Sequence, residues 1–377
     1  MNLTPSSEQS LIIESAISFL EETSSMAAIR KASEEGDGFD RDAWSQIYEL
    51  GWCHLLLPES MDGLGLGQIE IALLQEKLGE YLSCTPFFDS AVLSTNILLG
   101  IAHNSEATHQ ATTALKAIAE DQLIVSAAIH SSSIKNPGQV VKVNDGWVLN
   151  GTWSHIGSLP FAHKVLLPAQ NELGEHFLFL VDLQTPGCTI EQHLPIDLTQ
   201  RSGKLLAKDV LLPDSACLIQ TKDKDYLLKS LCLATIGLAA EQVGVAQKAL
   251  DLTLNYAHER AQFGKTIAHF QAVKHRCAEM LVHVESSRSA VYGAACMADT
   301  QPSINTLIFY AAQAFVEATK AALFCTEESI QLHGGMGFTW EFDLHRLLKR
   351  AQHNSQRLQT ISWWQEQVAT LLLDQEK

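Results

Sequence analysis

Residues 256–280 read YAHERAQFGKTIAHFQAVKHRCAEM, and the break inside them decides how the chain is built. On either side apolar residues recur at helical spacing. At Arg260, Gln262, Phe263 and Gly264 that period stops, so one long helix ends at a glycine-containing turn and another begins. A guanidinium, an amide and an aromatic ring at such a corner can bind a pyrophosphate and stack an adenine, with Gly264 admitting close backbone approach. The structural alternative is a helix C-cap with Phe263 as core filler. A second break lies in residues 330–351, IQLHGGMGFTWEFDLHRLLKRA, just after Gln331. There Gly334, Gly335 and Gly337 would cost a helix stability and leave backbone bare, a loop with weak phosphate-binding potential when taken alone.

Working outward, the stretch from Lys224 to His258 holds no proline and predicts a helix about 50 Å long at 1.5 Å per residue. From about Asp121 to Gln220 the pattern changes to β-branched and aromatic runs (QVVKV, WVLNG, KVLLP, HFLFLVDL) broken by turn residues, and Asp145-Gly146 between two such runs predicts a hairpin. From Ser7 to Ala117 the helical period holds, interrupted by Pro58 and by DGLGLG at residues 62–67. The expected division is an N-terminal helical domain over 1–117, a middle β-domain over 118–220 and a C-terminal four-helix-bundle domain over 221–377. With 377 residues, 46% of them hydrophobic, two or three domains packed as one rigid subunit are the expectation.

The formal charge of −17 opposes a nucleic-acid or membrane-surface binder, since both partners reward clustered Lys and Arg. Eight cysteines without a CxxC pair read as reduced packing residues of a cytoplasmic protein. The acidic N-terminus MNLTPSSEQSLIIESAISFLEE reads as a first helix rather than a secretory signal, and no apolar run reaches the roughly 20 residues of a bilayer span. His269, His275 and His333 lack the spacing of a metal set. Trp363 and Trp364 are expected to anchor an interface or a core.

Taken together and in order, RxQFGxxIxxFQxxxH (Arg260 to His275) followed by QLHGGxGFTWE (Gln331 to Glu341) closely resembles the acyl-CoA dehydrogenase family. The N-terminal run WSQIYELGWCHLLLPESMDGLGLGQIEIALLQEKLGEYL, Trp44 to Leu82, is similar to that family's first domain. The resemblance implies an α+β fold, with helical domains flanking a middle β-barrel domain, and FAD held between the barrel and the C-terminal bundle. By position, Arg260, Gln262 and Phe263 would contact the FAD pyrophosphate and adenosine, with Gln271 nearby, while Gln331, Leu332, Gly334 and Gly335 would reach the FAD of the neighbouring subunit. It further implies an acyl-CoA substrate, assembly as a dimer of dimers, and an electron-transfer flavoprotein as acceptor. The family reaction removes the α-proton of an acyl-CoA with a carboxylate and passes hydride from the β-carbon to the flavin, so a base is indispensable.

The chain departs from the family where that base belongs. Around residue 358 the sequence reads AQHNSQRLQTISWW, with no carboxylate between Asp343 and Glu366, and the alternative family position falls at Ala234 and Thr235. Glu241, among small apolar residues about two turns along the same helix, is the remaining candidate for the catalytic base, against a structural role as a solvated helix residue. In the β-domain, Ser126 and Ser131 or Ser132 are partial stand-ins for flavin and CoA contacts, and His155 and Gly157 stand where Trp and Thr commonly cover the flavin ring. GFTWEFDLHRLLKRA resembles the branch assembled from two different subunits, which acts on bulky acyl groups such as steroid side chains. Two functions follow: a dehydrogenase using Glu241, or a non-catalytic partner that completes another subunit's FAD site, with the oligomer built either from copies of this chain or with a paralogous acyl-CoA dehydrogenase subunit. A flavin oxidase or monooxygenase on the same fold is a third.

Overall fold

The computed structural model describes residues 5–104, 108–223 and 225–373. Helices come first: α1 (Ser7–Thr23), α2 (Met26–Arg30), α3 (Arg41–Glu49), α4 (Gln68–Glu80), α5 (Thr95–Asn104) and α6 (Thr108–Glu120), with π-helical turns at Lys31–Glu35 and Phe88–Ser94. Ser6 begins α1 through a capping box with Gln9, which satisfies two otherwise unpaired backbone donors.

The middle block is a mixed eight-stranded sheet: β1 (Val125–Ala127), β2 (Gly138–Val143), β3 (Gly146–Gly157), β4 (Lys164–Gln170), β5 (His176–Asp182), β6 (Cys188–His193), β7 (Ser202–Leu212) and β8 (Cys217–Thr221), with a short helix α7 (Ser131–Lys135) after β1. Its order is β6-β7-β3-β2-β4-β5-β8, and β1 runs parallel to β4. The expected hairpin is β2–β3, in which Val143 pairs with Gly146 across Asn144 and Asp145. Trp153 is wholly buried at the centre of the sheet's own core with Phe177, Phe179 and Leu205, and donates its Nε1 to the Pro168 carbonyl at 3.0 Å.

The last block holds three long helices, α8 (Leu228–Glu259), α9 (Gln271–Asp299) and α10 (Ile304–His333), then α11 (Leu344–Asn354) and α12 (Ile361–Leu373). The long helix foreseen from Lys224 starts at Leu228 and runs 32 residues; Lys224 lies outside the described residues. Helices α8 and α10 each hold a window apolar enough to cross a bilayer, but 83% and 61% of those windows are buried inside the protein, so their apolarity serves the core. Helix α4 crosses α8 closely: a Cβ on Gly244 would stand 1.8 Å from the Glu76 carbonyl, and one on Gly79 2.2 Å from the Glu241 carbonyl. Only glycine permits this approach, which fixes Glu241 at the seam between the two helical blocks. Trp364 is wholly buried against that core, with Trp363 edge-on to it at 4.7 Å.

Candidate functional site

The corner predicted between two helices is a two-residue hairpin. After α8, β9 (Ala261–Gln262) pairs with β10 (Lys265–Thr266), and Phe263 and Gly264 occupy the turn at φ 53° and 77°. Both central residues in the left-handed region match the tight turn that suits strand twist. Phe263 is 92% exposed, not core filler, and meets the edge of Phe270 at 6.2 Å. Arg260, Gln262 and Gln271 are exposed as well, and among the described residues no carboxylate pairs with the Arg260 guanidinium.

The glycine-rich segment sits at the same corner. Helix α10 ends at His333, whose ring stacks on Tyr256 of α8 at 4.1 Å and whose carbonyl accepts from the Tyr256 hydroxyl at 3.4 Å. Gly334 then turns at φ 59°, and a Cβ on Gly334 or Gly335 would meet nothing within 4 Å, so backbone faces open space there. Gln331 is exposed and Leu332 half-buried. Arg260, Tyr256, His333 and Phe342 line one groove of about 580 Å³. The structure thus brings together two motifs that lie far apart in sequence. Bare backbone, a free guanidinium and an exposed ring fit the pyrophosphate and adenosine of FAD.

Glu241 is buried, as its small apolar neighbours suggest, but it is not unpaired. Its side chain is 3% exposed, Oε1 accepts from Arg350 Nη1 at 2.8 Å, and Oε2 lies 3.7 Å from Arg357 Nη1. Arg350, itself 1% exposed, also donates to Asp197 Oδ2 at 2.6 Å, Thr199 Oγ1 at 2.5 Å and the Ser83 carbonyl at 3.3 Å. Arg357 donates to Asp89 Oδ2 at 2.9 Å, which Ser158 Oγ also reaches at 2.5 Å. Burial alone would raise Asp197, but Arg350, His353 and the Thr199 hydroxyl together outweigh it and hold that carboxyl below its ordinary range. Arg350 is correspondingly held charged: its burial opposes this, and Asp197 and Glu241 overcome it. The cavity beside Glu241, Ser83, Phe87 and Phe88 measures about 10 Å³, room for one water at most. Sequence reading missed Arg350, Arg357, Asp197 and Asp89; the signal available was three arginines, Arg346, Arg350 and Arg357, inside the stretch between Asp343 and Glu366 that lacks any carboxylate.

At the sheet, Ser126 is wholly buried and donates to the Gly157 carbonyl at 2.8 Å, so it faces the fold and not a ligand. A Cβ on Gly157 would come within 2.4 Å of Asp89 Oδ1, which explains why no larger residue stands there. His155 adopts φ 60° and lies between His130 and His193, with ring centroids 4.8 and 5.3 Å away. Burial, followed by His155, lowers His130 to about 4, and Ser132 is spent on His130 Nδ1 at 2.8 Å. A groove of about 540 Å³ opens between α7, the β4–β5 pair, the start of α8 and α12, walled by Pro168, Tyr226, Leu231 and Trp363, with Lys135 and His176 on its lining. The one carboxylate lining it among the described residues is the exposed Asp225.

Residues 6–119 match the model of the acyl-CoA dehydrogenase N-terminal domain and residues 225–355 that of its C-terminal domain. Acyl-CoA dehydrogenase IpdE2 of Mycolicibacterium smegmatis is 30% identical over 355 residues, spanning 94% of this chain and 95% of that protein. Among solved structures, the Tcur3481-Tcur3483 steroid ACAD superposes with a TM-score of 0.84 at 25% identity, covering 97% of this chain and 98% of that one. The ChsE4-ChsE5 complex of Mycobacterium tuberculosis shares the fold at a TM-score of 0.88 and 23% identity, with full coverage of both chains, 100% each.

Proposed function

Because the chain belongs to the acyl-CoA dehydrogenase family, oxidoreductases acting on acyl-CoA, we propose that it is the partner subunit of an FAD-dependent, oligomeric acyl-CoA dehydrogenase, completing a neighbour's FAD site without supplying the base. The observation that carries this reading is the engagement of Glu241 by two buried arginines beside a cavity too small for a substrate carbon. A general base must come within about 3 Å of the proton it removes. To do so Glu241 would have to give up its contacts with Arg350 and Arg357, leaving Asp197 and Asp89 as the carboxylates paired with those two buried guanidiniums.

What this chain's residues do is bind and orient. Arg260 neutralises a pyrophosphate, Phe263 stacks an adenine, and Gln262, Gln271, Gln331 and the bare backbone of Leu332 to Gly335 supply hydrogen bonds. Because both motifs share one corner, they serve one cofactor, and FAD bound there supplies the acceptor for the β-hydride. The groove walled by Tyr226 and Trp363 suits the apolar body of an acyl-CoA, and the likeness to a steroid ACAD favours a bulky, steroid-derived acyl group. The partner is a paralogous subunit in a dimer of dimers, the acceptor an electron-transfer flavoprotein, and the compartment the cytoplasm, in keeping with eight unpaired cysteines.

The test is a visible spectrum of the chain purified alone and after co-expression with a paralogue, followed by E241Q in the assembled oligomer. The reading expects little flavin alone, flavin in the complex, and turnover within about twofold for E241Q, where loss of a general base would cost on the order of 100-fold or more. Abolished turnover with flavin absorbance intact would make Glu241 the base and overturn it.

A further inference from the structure

We infer that the Arg30–Asp343 ion pair is a positioning device that holds the loop Gly334–Trp340 in place for the cofactor, an inference that rests on the reading of that corner given above. The loop is fixed at two posts. At its start, His333 is 4% exposed, clasped between Tyr256 at 4.1 Å and the edge of Phe342 at 5.4 Å, with Nδ1 2.7 Å from the Ser329 carbonyl. At its end, Asp343 receives Arg30 Nε on Oδ1 at 3.0 Å and Arg30 Nη2 on Oδ2 at 2.8 Å, a two-pronged contact that fixes orientation as well as distance. Arg30 Nη2 also reaches the Glu341 carbonyl at 3.4 Å, inside the segment leading out of the loop. Arg346 shares Asp343 Oδ1 at 2.9 Å and pairs with Glu34.

Between the posts the loop makes a single 3-10 turn over Gly334–Phe338, closed by the Thr339 hydroxyl donating to the Met336 carbonyl at 2.9 Å and seated by buried Gly337 against Ile330, and its large side chains lie outside that turn's packing. Phe338 is 79% and Trp340 68% exposed, and the contacts of Trp340 are to His345 and Lys349, downstream on the same segment. Arg30 itself comes from the far end of the sequence, on α2, and is placed by its neighbour Ile29, 1% exposed in the cluster that includes Cys84 and Leu347. The N-terminal block therefore reaches across to set the glycine loop of the C-terminal block. An ion pair with Arg30 40% exposed adds little to global stability; its effect falls on where the loop stands before the cofactor arrives.

The experiment is FAD titration of the flavin-stripped oligomer for wild type, R30A, R30K and R260A, with melting temperature and chymotryptic cleavage at Phe338 and Trp340 measured on the same samples. R30A should weaken FAD binding about tenfold by loss of preorganisation and speed cleavage at the loop, while Tm moves by no more than about 2 °C, the effect of an exposed ion pair. R30K, which keeps the charge but not the fork, should recover part of the affinity. Wild-type affinity in R30A together with weakened binding in R260A would sink this inference and leave the corner's role intact. Unchanged affinity in both would sink the reading of the corner and the inference with it. A large fall in Tm for R30A would make the pair a fold element and overturn its positioning role.

Discussion

Replacing Arg350 with methionine removes the cation at the centre of the buried polar cluster while keeping an unbranched side chain of similar reach. The guanidinium makes four contacts of 2.5–3.3 Å to Asp197, Glu241, Thr199 and Ser83. Its loss leaves Asp197, 1% exposed, with no cation in contact, and Glu241, 3% exposed, with only the looser Arg357 at 3.7 Å. Breaking a buried pair by removing one partner costs about 3–5 kcal/mol, because the surviving charge stays desolvated. In a chain of this size that corresponds to a fall in melting temperature of roughly 4–6 °C. Thermal melts of R350M and of the triple variant R350M/D197N/E241Q, followed by near-ultraviolet circular dichroism, check the account. The triple variant should regain most of the loss, since no charge is then stranded. A fall under about 2 °C for R350M would mean that the cluster carries water the geometry does not require, and the argument from desolvation would fail.

Two further outcomes follow from the same region. G157T adds a side chain at the end of β3, but its Cβ would stand 2.4 Å from Asp89 Oδ1, so it should cost about 2–3 kcal/mol in stability and be relieved by D89A in a double-mutant cycle; additive losses would refute the clash. His130 and His353 are each held at about 4 in the fold, His130 by burial and then His155, His353 by burial and then Arg357. Both are neutral when folded and charge more readily when unfolded, so their contribution is complete above pH 6.5 and is lost as pH falls from there toward 4. After discounting for partial exposure, the pair should cost roughly 1–2 kcal/mol by pH 5.5, visible as a Tm that falls on acidification and falls less in H353Q; a Tm flat from pH 7 to 5 would contradict this.

What was legible in the sequence was what depends on local spacing. The proline-free α8, the break at Arg260 and the Asn144–Asp145 hairpin all appear where the residues point. The hairpin at Phe263 was hidden because a two-residue turn between helices carries no strand pattern, and its positive φ values fall on a phenylalanine as well as on Gly264. Glu241 shows the other limit. Its apolar neighbours announced burial, yet its partners Arg350 and Arg357 lie more than a hundred residues away, and only the crossing of α4 and α8 through Gly79 and Gly244 brings the seam together. The same holds for the two motifs of the glycine corner: sequence order separates Arg260 from Gln331, and the stacking of Tyr256 on His333 brings their helices together.

The buried cluster draws Asp89 from the first block, Asp197 from the second, and Glu241, Arg350 and Arg357 from the third. None of the three blocks can therefore reach its final structure as an independent piece. Severed from the others, each would hold charges in a dry interior with nothing to neutralise them. The chain should behave as a single cooperative unit despite its three-part architecture, melting in one step and resisting division into separately expressed parts.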